Sequence, residues 1–159
     1  MASNDTDATA DNPSDQLLVP LAFLRLNHQT AIRGVTRFQA LIFLAQQGGL
    51  PSDPINHSID EVFQFTPHKR GPYSSTLTET LDTASPHYIS RSEVQGAETA
   101  SAELEITDDG ITVLNANAEV LPIELIQVLK LTKSLYNSMP VVELLDKISA
   151  AYPEYVSNK

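Results

Sequence analysis

The stretch FQFTPHKRGPYSSTLTETL, residues 63–81, holds the groups best suited to contact a ligand. Lys69 and Arg70 precede a Gly-Pro step, and a tyrosine and a run of hydroxyl residues follow it. Ser74 is of a type that caps a helix, and the free amides at a helix start favour a phosphate. This pattern is suited to holding a nucleic-acid backbone, while short hydroxyl side chains are suited to approach base edges. The residues predicted for these contacts are Lys69, Arg70, Tyr73, Ser74, Ser75, Thr76 and Thr78.

Three arginines outside this stretch join the predicted contact set. Arg33 and Arg37 flank the predicted start of a helix, and Arg91 lies in a predicted hairpin. Arginine donates readily to nucleic-acid phosphates. In the alternative interpretation, Arg37 is structural and pairs with Glu79 or Asp82, and the basic pair before the Gly-Pro step is a solvated turn. The sequence leaves both interpretations open.

The pattern of catalytic residue types argues against an enzyme. The four histidines show neither HxxxH nor HxH spacing, and the chain has no cysteine. It also lacks a GxSxG elbow, a P-loop and a GxGxxG fingerprint. The neighbouring acids Asp108 and Asp109 stand at a predicted helix start, where the helix dipole explains them. We expect no catalytic residue, no metal site and no cofactor.

The charge is strongly negative but unevenly distributed. The 159 residues carry 10 basic and 20 acidic side chains, a net charge of -10. Between Pro20 and Ser92 lie six of the basic residues and five of the acidic ones. The acidic composition resembles that of proteins from salt-loving archaea. In molar salt the screening length of charge interactions falls to roughly 3 Å. An ordinary acidic protein is the alternative. The absence of cysteine favours a cytoplasmic protein over a secreted one that is held by disulfides.

Apolar spacing and helix-breaking residues predict the order of the elements. The expected order is helix, helix, short strand, helix, two-stranded hairpin and three helices. The short strand is EVFQF, residues 61–65, and Thr36 and Gln39 match the spacing of a capping box at the second helix. Pro20 implies that the first helix starts late or is kinked.

This order predicts an α+β, mostly helical fold. It is typical of a winged helix-turn-helix, in which the third helix stands on the first two and the hairpin forms the wing. The predicted boundaries are a disordered acidic leader over 1–14, a winged-helix domain over 15–107 and a helical extension over 108–159.

The predicted helical extension has an apolar face that is broad for a helix with one partner. A helix that is apolar nearly all round has to be enclosed on several sides, so a two-fold dimer is expected. Lys130 and Lys133 interrupt the stretch too strongly for a membrane span. The predicted dimer residues are Leu125, Val128, Leu129 and Leu135.

Three segments resemble a family of archaeal winged-helix regulators. They are GVTRFQALIFLAQ, the stretch from residue 63 to 81, and the closing NSMPVVELLDKISAAYPEYVSN. That family is similar in turn to the Panacea (SocA-like) antitoxin domains. Two positions depart from its pattern, because Ala40 stands where the family usually has lysine and Arg70 where it usually has tyrosine.

The resemblance implies a small regulatory module with DNA as its partner. The expected function is a non-enzymatic, dimeric, DNA-binding transcriptional regulator. The alternative is a Panacea-like antitoxin or adaptor that contacts a toxin or a protease substrate and touches no DNA. A ligand-sensing repressor is a third hypothesis. Glu79, Asp82 and an acidic wing loop count against DNA at low salt, since they repel phosphates.

Overall fold

The computed structural model describes residues 14–51, 53, 61–68, 71–93 and 102–155. The described residues confirm an α+β, mostly helical fold with six helices and a three-stranded sheet. In chain order the elements are α1 (Asp15–Gln29), β1 (Ile32–Arg33), α2 (Val35–Gln47), α3 (Ser75–Ala84), β2 (Ile89–Glu93), β3 (Ala102–Ile106), α4 (Asp108–Ala116), α5 (Ile123–Tyr136) and α6 (Val141–Ala151). Single 3₁₀ turns follow α4 at Ala118–Val120 and α6 at Pro153–Tyr155.

The sheet is antiparallel throughout, with strand order β1-β3-β2. The predicted hairpin is confirmed as β2 and β3, in which Ile89 faces Ile106 across the ladder. Strand β1 was not predicted, because two residues are too few to show an alternating pattern. The predicted strand over residues 61–65 is wrong, since those described residues form no strand.

Helix α1 starts at Asp15, and its backbone dihedrals stay helical through the buried Pro20. The predicted late start is therefore wrong, and the kink expected as its alternative lies at Leu26 and not at Pro20. The chain leaves the helical conformation at Leu26, and the next two residues adopt left-handed dihedrals. Because of this break, carbonyl groups at the end of the helix lack a hydrogen-bond donor within the helix.

Lys133 of α5 caps the C-terminal end of α1. Its Nζ donates to the carbonyl oxygens of Phe23 (2.8 Å), Leu24 (3.2 Å) and Leu26 (2.8 Å), and it lies 5.9 Å from the Phe23 ring centroid. The side chain is 1% exposed. Burial lowers the pKa of Lys133 to about 8. The lysine thus acts as a buried cap supplied by a helix more than 100 residues away.

A single apolar core runs through the described part of the chain. Helix α5 packs against α1 and α2, and α6 packs against α2. The core is continuous across the boundary drawn between residues 107 and 108. Core side chains therefore come from both of the predicted domains.

Packing of α5 inside its own chain corrects the predicted dimer interface. Leu125 is 8% exposed, Val128 2% and Leu129 0%. Their partners are residues of the same chain, so they are not free to meet a second copy. Leu135, at 38%, keeps an exposed surface. No helix within the described ranges is long and apolar enough to cross a membrane.

Candidate nucleic-acid interface

The segment before α3 is closed by backbone hydrogen bonds. The amide of Thr66 donates to the carbonyl of Tyr73 (2.8 Å), and the amide of Tyr73 donates back to Thr66 (3.0 Å). Gly71 donates to the carbonyl of His68 at 2.9 Å. We call residues 66–73 the tip segment. Lys69 and Arg70, the predicted phosphate contacts, belong to it in sequence and lie outside the described residues.

Gly71 and Tyr73 shape the described part of the tip segment. Gly71 has φ of +97°, a conformation that side chains disfavour, and a Cβ there would approach Leu145 of α6 to 3.2 Å. The rings of His68 and Tyr73 pack against each other, with centroids 5.3 Å apart and planes tilted by 32°. Tyr73 is 36% exposed, so part of this residue is accessible to a ligand.

Ser74 is the N-cap of α3. Its Oγ accepts a hydrogen bond from the amide of Leu77 at 3.1 Å, and the residue is 0% exposed. The predicted cap is confirmed, but the predicted phosphate contact by this side chain is wrong. A buried hydroxyl that is already bonded inside the protein cannot reach a nucleic acid.

The side chain of Gln39 on α2 hydrogen-bonds to the backbone of Ser74. Its Oε1 accepts from the amide of Ser74 (2.7 Å), and its Nε2 donates to the Ser74 carbonyl (3.2 Å) and to Thr78 Oγ1 (2.7 Å). The predicted capping box with Thr36 is therefore wrong. Gly34 is the N-cap of α2, without a side-chain hydrogen bond.

The hydroxyl groups predicted to approach bases have different surroundings. Ser75 is exposed at the start of α3. Thr76 is half-buried in a shallow groove of about 270 Å³ beside the start of α1. Thr78 is engaged by Gln39 and by the Ser74 carbonyl at 3.2 Å. Among these hydroxyl residues, Ser75 is the exposed one. Glu79, one turn further along α3, is also exposed.

Arg33 and Arg91 each lie beside an acid. Arg33 pairs with Glu103 on β3 (3.4 Å), and Arg91 pairs with Asp82 on α3 (2.8 Å). Both arginines keep exposed side-chain surface, 58% for Arg33 and 31% for Arg91. Each can contact a phosphate only in competition with its own acid.

Arg37 has a structural role, as the alternative interpretation expected, but its partners are not the expected acids. Its guanidinium donates to the carbonyls of Arg33 (3.1 Å), Asn137 (3.0 Å) and Met139. Burial, and then the charge of Arg33, lower the pKa of Arg37. The predicted DNA contact is wrong because the guanidinium is turned inward to the α5–α6 turn. The predicted pairing with Glu79 or Asp82 is also wrong, since its partners are carbonyls.

A cleft of about 390 Å³ lies between the first turn of α2 and the tip segment. Val35 and Thr36 form one wall, and the paired rings of His68 and Tyr73 form the other. The lining is mostly apolar, so the cleft is suited to contact sugar or base surfaces more than charged groups. It opens beside the N-terminal end of α3.

Two further buried polar side chains that the sequence did not reveal lie outside the tip segment and α3. Gln46 binds Val62 and Phe63 through the backbone, at 2.9–3.0 Å. Tyr136 donates to the carboxylate of Asp53, and burial together with this hydrogen bond raises the pKa of Tyr136. The signal that sequence analysis missed is polarity on a buried face, since Gln39 and Gln46 stand seven residues apart on α2.

Comparison with known proteins and a search for metal ligands add no further site. No protein-family model matches the chain, and no curated protein matches it. Among the residues that the structure describes, no group of three histidine or acidic side chains is placed to hold a metal ion.

Proposed function

We propose that the protein is a winged-helix regulator of the cytoplasm that binds DNA through the N-terminal end of α3 and the tip segment. The observation that carries the proposal is the arrangement of the elements. In chain order α1, β1, α2 and α3 are followed by β2 and β3. The strands form one sheet of order β1-β3-β2, in which the two longer strands make a hairpin directly after α3. This order is typical of winged helices, in which the third helix approaches the major groove.

The available groups favour backbone contact over extensive base readout. Ser75 is exposed at the helix start, and Tyr73 is partly exposed. The tip segment contributes Lys69 and Arg70 in sequence. The helix dipole of α3 adds a favourable field for a phosphate at the same end. Contacts of this kind position a protein on a duplex and give little sequence discrimination.

A charge-matched pair of double variants tests the proposal. Lys69→Ala/Arg70→Ala removes the two cations of the tip segment, and Lys130→Ala/Lys147→Ala removes two exposed cations from α5 and α6. Both variants change the net charge equally. We expect the tip variant to weaken binding to all duplexes alike and to reduce the salt slope of the affinity by about 2.

The measurement is fluorescence anisotropy with labelled duplexes over a potassium chloride series from about 0.1 M to about 1 M. The control variant is expected to keep the wild-type slope. Equal losses in both variants would show that net charge alone matters. Absence of wild-type binding at micromolar protein and every salt concentration would refute the proposal.

A protein partner is the second candidate function, favoured by the exposed surface of α3 and α5. Glu79 and Asp82 give the exposed face of α3 a negative charge. Leu131 and Leu135, 39% and 38% exposed, stand one turn apart on α5, and Ile123 is 67% exposed. An apolar surface of this kind is suited to a protein contact, including a second copy of the chain. Binding to a toxin or adaptor with no DNA affinity would support this candidate.

A further inference from the structure

The connection between α2 and α3 is far longer than a helix-turn-helix connection. Twenty-seven residues separate Gln47 from Ser75, whereas the usual turn in that motif has about 3–4 residues. A short turn fixes the angle between two helices by itself. A connection of this length does not, so another contact has to set the position of α3 on α2.

Gln39 supplies the hydrogen-bonded contact to α2, while Leu77, Leu81 and Ala84 pack into the apolar core. The Gln39 side chain is 3% exposed and makes three hydrogen bonds, all of them to Ser74 or Thr78. Its oxygen faces a backbone donor, and its nitrogen faces a backbone carbonyl and a hydroxyl. Both N–H donors and the oxygen of the Gln39 side chain are therefore used. The backbone N–H of Ser74 determines which side-chain atom is the oxygen.

We propose that Gln39 is a positioning residue for nucleic-acid binding, which sets the N-terminal end of α3 against α2. This inference rests on the proposed function. Displacing the amide leaves buried donors and acceptors without partners, so one placement of the helix start is strongly favoured. The placement decides where Ser75 and Tyr73 lie relative to a bound phosphate.

Gln46 offers a matched control on the same helix. It is 7% exposed and also makes three hydrogen bonds, to the backbone of Val62 and Phe63. None of these partners belongs to α3. Replacing either glutamine by methionine keeps the chain length and removes a buried amide with the same number of hydrogen bonds, so the two variants should lose similar stability.

The test combines hydrogen exchange with DNA binding in the full chain. In Gln39→Met we expect faster exchange of the amides of residues 74–78 and an affinity about tenfold lower, measured by anisotropy with the same duplexes. In Gln46→Met we expect faster exchange at Val62 and Phe63, and an affinity within about twofold of the wild type.

Each outcome decides the inference. Equal DNA affinity in the two variants, or an exchange pattern at residues 74–78 that does not distinguish them, would overturn it. If the wild type binds no DNA, the proposed function fails, and the exchange pattern alone still decides whether Gln39 positions α3. If Gln39→Met does not fold, Thr78→Val replaces it, because it removes one partner of the amide. Unchanged exchange at residues 74–78 in Thr78→Val would then refute the inference.

Discussion

Replacing Lys133 by methionine tests whether a buried amine caps α1. The substitution keeps the length of the side chain and removes the donor of three hydrogen bonds to carbonyls at the end of α1. Each carbonyl left buried without a donor costs about 1–3 kcal/mol, while removal of a desolvated charge returns part of that energy. We expect a net loss of about 3 kcal/mol in the free energy of unfolding at pH 7.

The pH dependence of stability follows from the lowered pKa of Lys133. The pKa is about 8 in the folded protein against an ordinary value of 10.5. Between these values the unfolded chain binds more protons than the folded chain, so the stability contribution of this group rises with pH. Between about pH 7 and pH 9.5 the gain is about 2 kcal/mol, at 1.36 kcal/mol for each pKa unit.

Urea unfolding at several pH values between about 7 and 9.5 measures this effect. The quantity to compare is the free energy of unfolding of the wild type minus that of Lys133→Met, because other titrating groups largely cancel in the difference. The upper limit stays below the ordinary pKa of tyrosine. Above it, the raised pKa of Tyr136 makes stability fall with pH. A difference that is flat or falls with pH would show that the carbonyls hold the ammonium at an ordinary pKa, and the reasoning on burial would be refuted.

Two further predictions concern the charges of α3 and the surface of α5. Asp82→Asn removes the acid that pairs with Arg91 at 2.8 Å. We therefore expect the DNA affinity, measured by anisotropy at low salt, to rise about threefold or more. An unchanged or lower affinity would remove Arg91 from the interface. Leu129→Asp places a charge in the core and is expected to unfold the protein, whereas Leu135→Asp should leave the fold intact and abolish any self-association seen in light scattering. A folded Leu129→Asp protein would contradict the packing of α5, and self-association that survives Leu135→Asp would place the contact elsewhere.

Helices were predictable where apolar spacing and stop residues agree. The stripe of α2, the serine cap of α3 and the proline starts of α5 and α6 are all readable from the sequence, and Gly48 ends α2 with a left-handed dihedral. Such signals are local, since they depend on residues a few positions apart. Strand β1 has no local signal, because it exists only through its pairing with β3.

The wrong predictions share a different cause. Part of the apolar face of α5 is buried as expected, but the sequence does not say whether the cover is the same chain or a second copy. Val128 and Leu129 proved to be covered by their own chain. Arg37 was expected to meet charges and instead meets carbonyls of the α5–α6 turn, which lies about 100 residues away. A polar side chain that hydrogen-bonds to the backbone needs no particular residue type as its partner. No sequence pattern therefore indicates the contact.

The pairing of the arginines bears on how a chain of net charge -10 can approach DNA. Arg33 and Arg91 each have an acid within 3.4 Å, so little free positive potential extends from these described residues at low salt. Salt weakens the internal ion pairs and the repulsion by Glu79 along with the attraction to phosphate. Binding that starts from paired arginines therefore releases fewer counterions per contact than binding through free cations. A proposed interface of this kind should therefore lose affinity with salt less steeply than a basic one.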